Sequence, residues 1–209
     1  MSVIGVVNYE CGNIQSVINA IEFLGYEFRL IENKEQLFSC QKVILPGVGA
    51  FDYAVDALHS KGLFTALQEW SKEKSNQLLG ICLGMQLLCA NSDESLENKK
   101  GLNLIDAQVL SLSKKIQNDE KIPHMGWNEI KLITNNIFSK EFNNHDFYFI
   151  HSYAVFVNNE KHSLAKTAYG DVLFSSIITN GENVHGVQFH PEKSHEYGLN
   201  LLKNFITNA

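Results

Sequence analysis

Gln77-Leu78-Leu79-Gly80-Ile81-Cys82-Leu83-Gly84-Met85-Gln86 is the stretch on which the reading of this chain turns. Gln77–Ile81 has the apolar run of a buried strand, and Leu83–Ala90 has the apolar spacing of the helix that follows it. Between them lies Gly-x-Cys-x-Gly, the thiol form of a nucleophile elbow, whose glycines relieve crowding around a strained turn. Such a turn aims the Cys82 sulfur at the carboxyl end of the sheet, beside the positive end of the new helix, which favours the thiolate. The Leu83 backbone N–H would then lie near an oxyanion formed on a carbonyl attacked by Cys82. A lone cysteine is more often a buried structural thiol. Glycines on both sides of Cys82 at a strand–helix junction weigh against that. Cys89, on the same helix, reads as core, and Cys11 and Cys40 as ordinary loop or core thiols.

On the N-terminal side of this stretch the chain alternates strands and helices. Val3–Asn8, Tyr26–Ile31 and Lys42–Leu45 read as strands, and Asn13–Leu24, Phe51–Leu58 and Leu63–Lys74 as helices, with Pro46-Gly47-Val48-Gly49 breaking the pattern. This rhythm implies a parallel sheet with helices on both faces and a ligand site at the carboxyl strand ends. Beyond Ser92 the rhythm changes. After a polar loop, Asp93–Lys100, short strands dominate: Val109–Leu112, Asn128–Leu132, Phe147–Ile150, Ala154–Val157, Leu164–Ala168, Val172–Ile177 and Val184–Val187. With few helices between them, antiparallel pairing is expected. A helix, His195–Ile206, closes the chain. The expected fold class is therefore α/β, a central mostly parallel sheet flanked by helices with an antiparallel extension in the second half, forming one domain over residues 1–209.

Composition narrows the function classes. Of 209 residues, 44% are hydrophobic and 19% charged, an ordinary globular balance, and the net charge of −6 argues against a nucleic-acid partner. No signal peptide opens the chain and no apolar run is long enough to span a bilayer, so a cytoplasmic protein without membrane contact is expected. The four cysteines lack C-x-x-C spacing, and neither a metal cluster nor a dinucleotide glycine fingerprint is present, so no metal and no cofactor are expected.

A cysteine nucleophile needs a base, and the base needs an orienting group. Gly186-Val187-Gln188-Phe189-His190-Pro191-Glu192 supplies both. The strand Val184–Gln188 delivers His190 to a strand end, Pro191 stops the ladder, and Glu192 can reach back to the imidazole. Alone, His-Pro-Glu is as easily a surface turn. Together with the elbow at Cys82 it reads as a Cys–His–Glu triad. His124 reads as a satisfied structural histidine, and Trp127 as either a core aromatic or a contact near the exit of the site.

Gly-Ile-Cys-Leu-Gly-Met-Gln at 80–86 and Gln-Phe-His-Pro-Glu-Lys-Ser at 188–194 resemble the class I, or triad, glutamine amidotransferases. Four further segments are similar to the glutaminase subunits of imidazole glycerol phosphate synthase: residues 13–17, 45–51, 123–128 (Pro-His-Met-Gly-Trp-Asn) and 148–153 (Tyr-Phe-Ile-His-Ser-Tyr). The resemblance covers the chain nearly end to end. It implies that Cys82 attacks the L-glutamine carboxamide, that His190 moves the proton and that Glu192 orients His190. It also implies an oxyanion hole from Gly47, Val48, Gly49 and Leu83, substrate contacts at Gln86, His151, Ser152 and Tyr153, and partner contacts at Asn13, Tyr148 and Lys193. In such enzymes the oxyanion loop needs a peptide flip, and a (β/α)8-barrel cyclase subunit receives the ammonia to make imidazole glycerol phosphate and aminoimidazole carboxamide ribotide in L-histidine biosynthesis. The opening Asn8-Tyr9-Glu10-Cys11-Gly12-Asn13 departs from the Asp-Tyr-Gly-x-Gly-Asn usual there. The segment at 193–198 is also similar to paralogues that supply ammonia for amidinating a surface-polysaccharide or nonulosonate sugar. A stand-alone γ-glutamyl thiol hydrolase is a further alternative.

Overall fold

A computed structural model of the chain describes residues 3–10, 14–133 and 142–208. In chain order the main elements are β1 (Ile4–Val7), α1 (Ile14–Phe23), β2 (Phe28–Ile31), α2 (Lys34–Phe38), β3 (Lys42–Leu45), α3 (Phe51–Ser60), α4 (Leu63–Trp70), β4 (Gln77–Ile81), α5 (Leu83–Leu87), β5 (Asn91–Ser92) and β6 (Ala107–Ser111). There follow β7 (His124–Leu132), β8 (His145–His151), β9 (Tyr153–Val157), β10 (Ser163–Tyr169), β11 (Val172–Thr179), β12 (Val184–Val187) and α6 (His195–Asn208).

The strands form one sheet in the order β2-β1-β3-β4-β12-β11-β10-β7-β8, and β9 branches off β11 to carry β6 and β5. From β2 to β12 the neighbours run parallel; from β12 to β8 they run antiparallel. The α/β class and the antiparallel extension are thus as the sequence implies, with one correction. Val184–Val187 was expected among antiparallel pairs, yet β12 lies parallel to β4 on one side and antiparallel to β11 on the other. Its run of buried residues fits that central position.

Period-two alternation divides the core between the two faces of the sheet. Val43, Leu45 and Leu78 face a cluster with Leu58, Leu67, Trp70 and Leu87 from α3, α4 and α5. Ile44, Leu79 and Ile81 face the other, with Val17 and Ile21 of α1 and Leu202 and Phe205 of α6. Each such side chain contributes roughly 1.5–3 kcal/mol on burial, so the strands carrying the site are held from both faces of the sheet.

Two helices are shorter than their apolar spacing predicts. α5 stops at Leu87 because the returning loop claims its carbonyls: Leu102 N–H donates to Leu87 O at 2.7 Å and Leu104 N–H to Leu88 O at 2.9 Å. α4 stops at Trp70 because the Asn183 side-chain amide caps the carbonyls of Ser71, Glu73 and Asn76 at 2.7–3.1 Å. α2, not expected, starts at Asn33, whose side chain accepts from Gln36 N–H at 3.0 Å.

Candidate active site

Cys82 stands at the turn between β4 and α5 with φ 53° and ψ −110°, a conformation that side-chain-bearing residues avoid. The glycines around it are required by contact. A Cβ on Gly84 would overlap the Leu45 carbonyl oxygen, and one on Gly80 would sit 2.7 Å from the Gly84 carbonyl. Cys82 N–H donates to Val187 O at 2.8 Å, which ties the turn to β12. Cys82 is 6% exposed and lines a cavity of about 490 Å³, ample for a single amino acid.

β12 ends one residue before Gln188, and Phe189 anchors the following turn against Phe147 and Phe149. His190 N–H donates to Tyr148 O at 2.9 Å, and Ser194 Oγ donates to His190 O at 2.6 Å, so its backbone is held at both ends. Pro191 opens a short 3-10 turn, Pro191–Lys193, that brings Glu192 Oε1 to 2.7 Å from His190 Nδ1. Both side chains are 2% exposed. Nδ1 is therefore the protonated nitrogen, and Nε2 lies buried beside the Cys82 sulfur without completing a hydrogen bond. Burial works against the imidazolium, but the Cys82 sulfur and the Glu192 carboxylate outweigh it and raise the His190 pKa to about 10.

The structure gathers most of the predicted residues. Val48, Gly49, Cys82, Leu83, Gln86, His151, Ser152, Tyr153 and Lys193 all line the one cavity. Gly47 lies just behind it, where a Cβ would collide with the Tyr9 hydroxyl and come within 3.0 Å of Gly84 N. Tyr9 Oη in turn donates to Pro46 O at 2.7 Å, fastening the chain's opening segment to this loop. Leu83 N–H is engaged, donating to Gly47 O at 3.3 Å, and Gly49 has φ +116°. Tyr148 stands beside Lys193, whose Nζ is 6.0 Å from the ring centroid. Asn13 lies outside the described residues.

Two residues behave differently from what their motifs suggest. Both N–H bonds of Gln86 are spent inside the protein, on Tyr153 O at 3.0 Å and Gln188 Oε1 at 3.3 Å, so its own carbonyl oxygen is what it can offer a ligand. The His151 ring is likewise engaged at both nitrogens, with Tyr153 O at 2.8 Å and His124 Nδ1 at 2.9 Å. His124 Nε2 is 3.2 Å from the Asn128 amide. A neutral chain satisfies every partner: Asn128 donates to His124, His124 Nδ1–H to His151, and His151 Nδ1–H to the carbonyl. Burial lowers His124 to about 4 and His151, which also faces His124, to about 3.

Sequence reasoning missed Glu94. It comes from the polar loop after α5, lines the cavity as its carboxylate, and accepts from Phe51 N–H at 3.2 Å. Burial raises its pKa above the ordinary carboxylate value. Only its place after the elbow helix could have marked it, since the loop holds several acidic residues. Trp127 is settled as an exposed aromatic, stacked on His195 at 4.8 Å. Among the described residues no group of metal-ligating side chains is assembled, and no helix is long and apolar enough to cross a membrane.

A strained cysteine elbow on a parallel sheet faces a buried His–Glu pair, and the chain belongs to the class-I glutamine amidotransferases, whose family model matches residues 6–209. Its relatives within that class are more particular. Imidazole glycerol phosphate synthase subunit HisH 2 of Methanococcus maripaludis is 40% identical, covering 99% of this chain and 100% of its own. Subunit HisH of Sulfurimonas denitrificans is 39% identical over 97% of this chain and 96% of its own. Subunit HisH 2 of Pseudomonas aeruginosa is 37% identical over 96% and 97%. The fold is shared with PurLQS from Thermotoga maritima, at TM-score 0.74 and 18% identity over 99% of this chain and 98% of that one. A glutamine amidotransferase crystal structure gives TM-score 0.71 and 20% identity, covering 98% and 100%.

Proposed function

We propose that the chain acts as one domain, the glutaminase subunit of an imidazole glycerol phosphate synthase. It hydrolyses L-glutamine to glutamate and passes the ammonia to a (β/α)8-barrel cyclase in histidine biosynthesis. The observation that carries the chemistry is the Cys82 sulfur beside an imidazole whose far nitrogen is charge-paired at 2.7 Å. His190 Nε2 takes the thiol proton while Glu192 stabilises the imidazolium. Sulfur adds to the side-chain carboxamide carbon; the oxygen becomes an oxyanion. Collapse expels ammonia, which carries away the proton from His190, and leaves a thioester that water, deprotonated by His190, hydrolyses to glutamate.

The substrate's charged end fits the rest of the cavity. Glu94 takes the α-ammonium and the Gln86 carbonyl oxygen adds to it, while Ser152 and Tyr153 hold the α-carboxylate. His151, its nitrogens already engaged, braces these residues. The oxyanion hole is closed at Leu83, whose N–H points at Gly47 O, 3.3 Å away. The Gly47–Gly49 loop must turn before Leu83 and the loop amides of Val48 and Gly49 can donate to an oxyanion. That makes hydrolysis slow without the partner, whose contact face includes Tyr148, Lys193 and Asn13.

The test is glutamate release by the purified chain, alone and with the barrel cyclase, with and without its nucleotide substrate. Strong stimulation by cyclase plus nucleotide supports the histidine-pathway reading. Hydrolysis that ignores the nucleotide refutes it. A second reading keeps the chemistry and changes the acceptor to a surface-sugar synthase; the opening segment bears Glu10, paired with Lys61 at 3.2 Å.

A further inference from the structure

Gln188 has no part in the reaction scheme above, yet it is fully buried beside the nucleophile. The parallel register of β12 on β4 pairs Val187 with Ile81, so Gln188 is the next rung, level with Cys82. Its backbone N–H is fixed on Ser176 O at 3.0 Å. Its side-chain Nε2 lies 3.8 Å from the Cys82 sulfur.

A carboxamide can be turned end for end, so the network must decide which end meets the sulfur. Gln86 Nε2 lies 3.0 Å from the Tyr153 carbonyl oxygen, where only an N–H satisfies the contact. The same nitrogen is 3.3 Å from Gln188 Oε1, which can only accept. Gln188 therefore directs its oxygen at Gln86 and its N–H bonds at the sulfur. The thiol state has a different companion, the Ile150 carbonyl, which accepts S–H at 3.9 Å. One neighbour of the sulfur suits its protonated form and the other its anion. A hydrogen bond to a charged acceptor is the stronger kind.

We propose that Gln188 is a positioning residue whose side-chain N–H holds the Cys82 sulfur as a thiolate aimed into the cavity, with Gln86 and the Tyr153 carbonyl fixing the orientation of its amide. This rests on Cys82 being the nucleophile. Gln188→Met keeps length and neutrality and removes the donor. Gln188→Glu keeps the oxygen that accepts from Gln86 and places an acidic group against the sulfur.

The measurement is alkylation of Cys82 by iodoacetamide across pH, without glutamine, with the Cys82 peptide quantified by mass spectrometry. The pH midpoint of alkylation should move upward by about one unit in Gln188→Met and further in Gln188→Glu. At neutral pH kcat for glutamate release should fall about tenfold in Gln188→Met while KM stays within about twofold. An unmoved midpoint in a folded variant overturns the proposal. So does a faster plateau at an unmoved midpoint, which reports only a loosened, more exposed thiol. Gln188→Glu carries the test if Gln188→Met does not fold. Hydrolysis surviving in Cys82→Ala would instead remove the nucleophile assignment, an outcome separate from the midpoint.

Discussion

Replacing Glu192 with Gln removes one charge from a buried pair and changes almost nothing in shape. Glu192 Oε1 and His190 Nδ1 are 2.7 Å apart and both side chains are 2% exposed, so water cannot replace the lost carboxylate. Two unit charges at that spacing in an effective dielectric of about 20 attract by about 6 kcal/mol, an upper limit. The lower limit is a charge-assisted hydrogen bond exchanged for a neutral one, about 1 kcal/mol. The midpoint, about 3.5 kcal/mol, predicts that kcat for glutamate release falls by about 400-fold at saturating glutamine. KM should barely change, because the pair touches the proton in flight and not the substrate's charged end. Stopped glutamate assays on the partner-bound enzyme, with thermal unfolding of the same preparation, measure both. A well-folded Glu192→Gln enzyme within about threefold of the parent kcat would refute the charge-pair argument.

Gly84→Ala should leave little folded protein, since its Cβ would overlap the Leu45 carbonyl oxygen; an unaltered melting temperature would sink the close-packing argument. Glu94→Gln should raise KM for glutamine about tenfold or more and spare kcat, because it takes one charge from the cradle proposed for the ammonium; steady-state kinetics decide it. Stability should fall away on both sides of the ordinary histidine value. His190, raised to about 10, contributes stability that is present below that value and lost as pH climbs toward 10. His124 and His151, lowered to about 4 and about 3, contribute stability that is present above it and lost as pH drops toward those values. Urea titrations from pH 10 to pH 4 check this, and His124→Asn should flatten the acid limb by about one proton.

The elbow and its partner strand were legible because their chemistry is local. Gly80, Cys82 and Gly84 announce a turn that nothing else requires, and His190 with Glu192 lie two residues apart. What escaped was long-range. That β12 turns parallel to β4 depends on which neighbour it meets, and four apolar residues read the same either way. α5 and α4 end where side chains and loops far along the chain cap their carbonyls. Glu94 looks like any acid of a polar loop until the loop is folded over the cavity. The His124–His151 chain likewise exists only because β7 and β8 pair those two residues directly.

β4 and β12 are hydrogen-bonded neighbours in register, Ile81 against Val187; Cys82 follows β4 directly, and His190 follows β12 three residues on, where its N–H is fixed on Tyr148 O of β8. The distance between sulfur and imidazole is thus set by backbone bonds among three strands. The cavity rim is another matter: Val48, Gly49, Ser152 and Lys193 all come from turns and strand ends. Substitutions in such a rim can change what meets the mouth of the cavity while the strand pair behind it stays as it is.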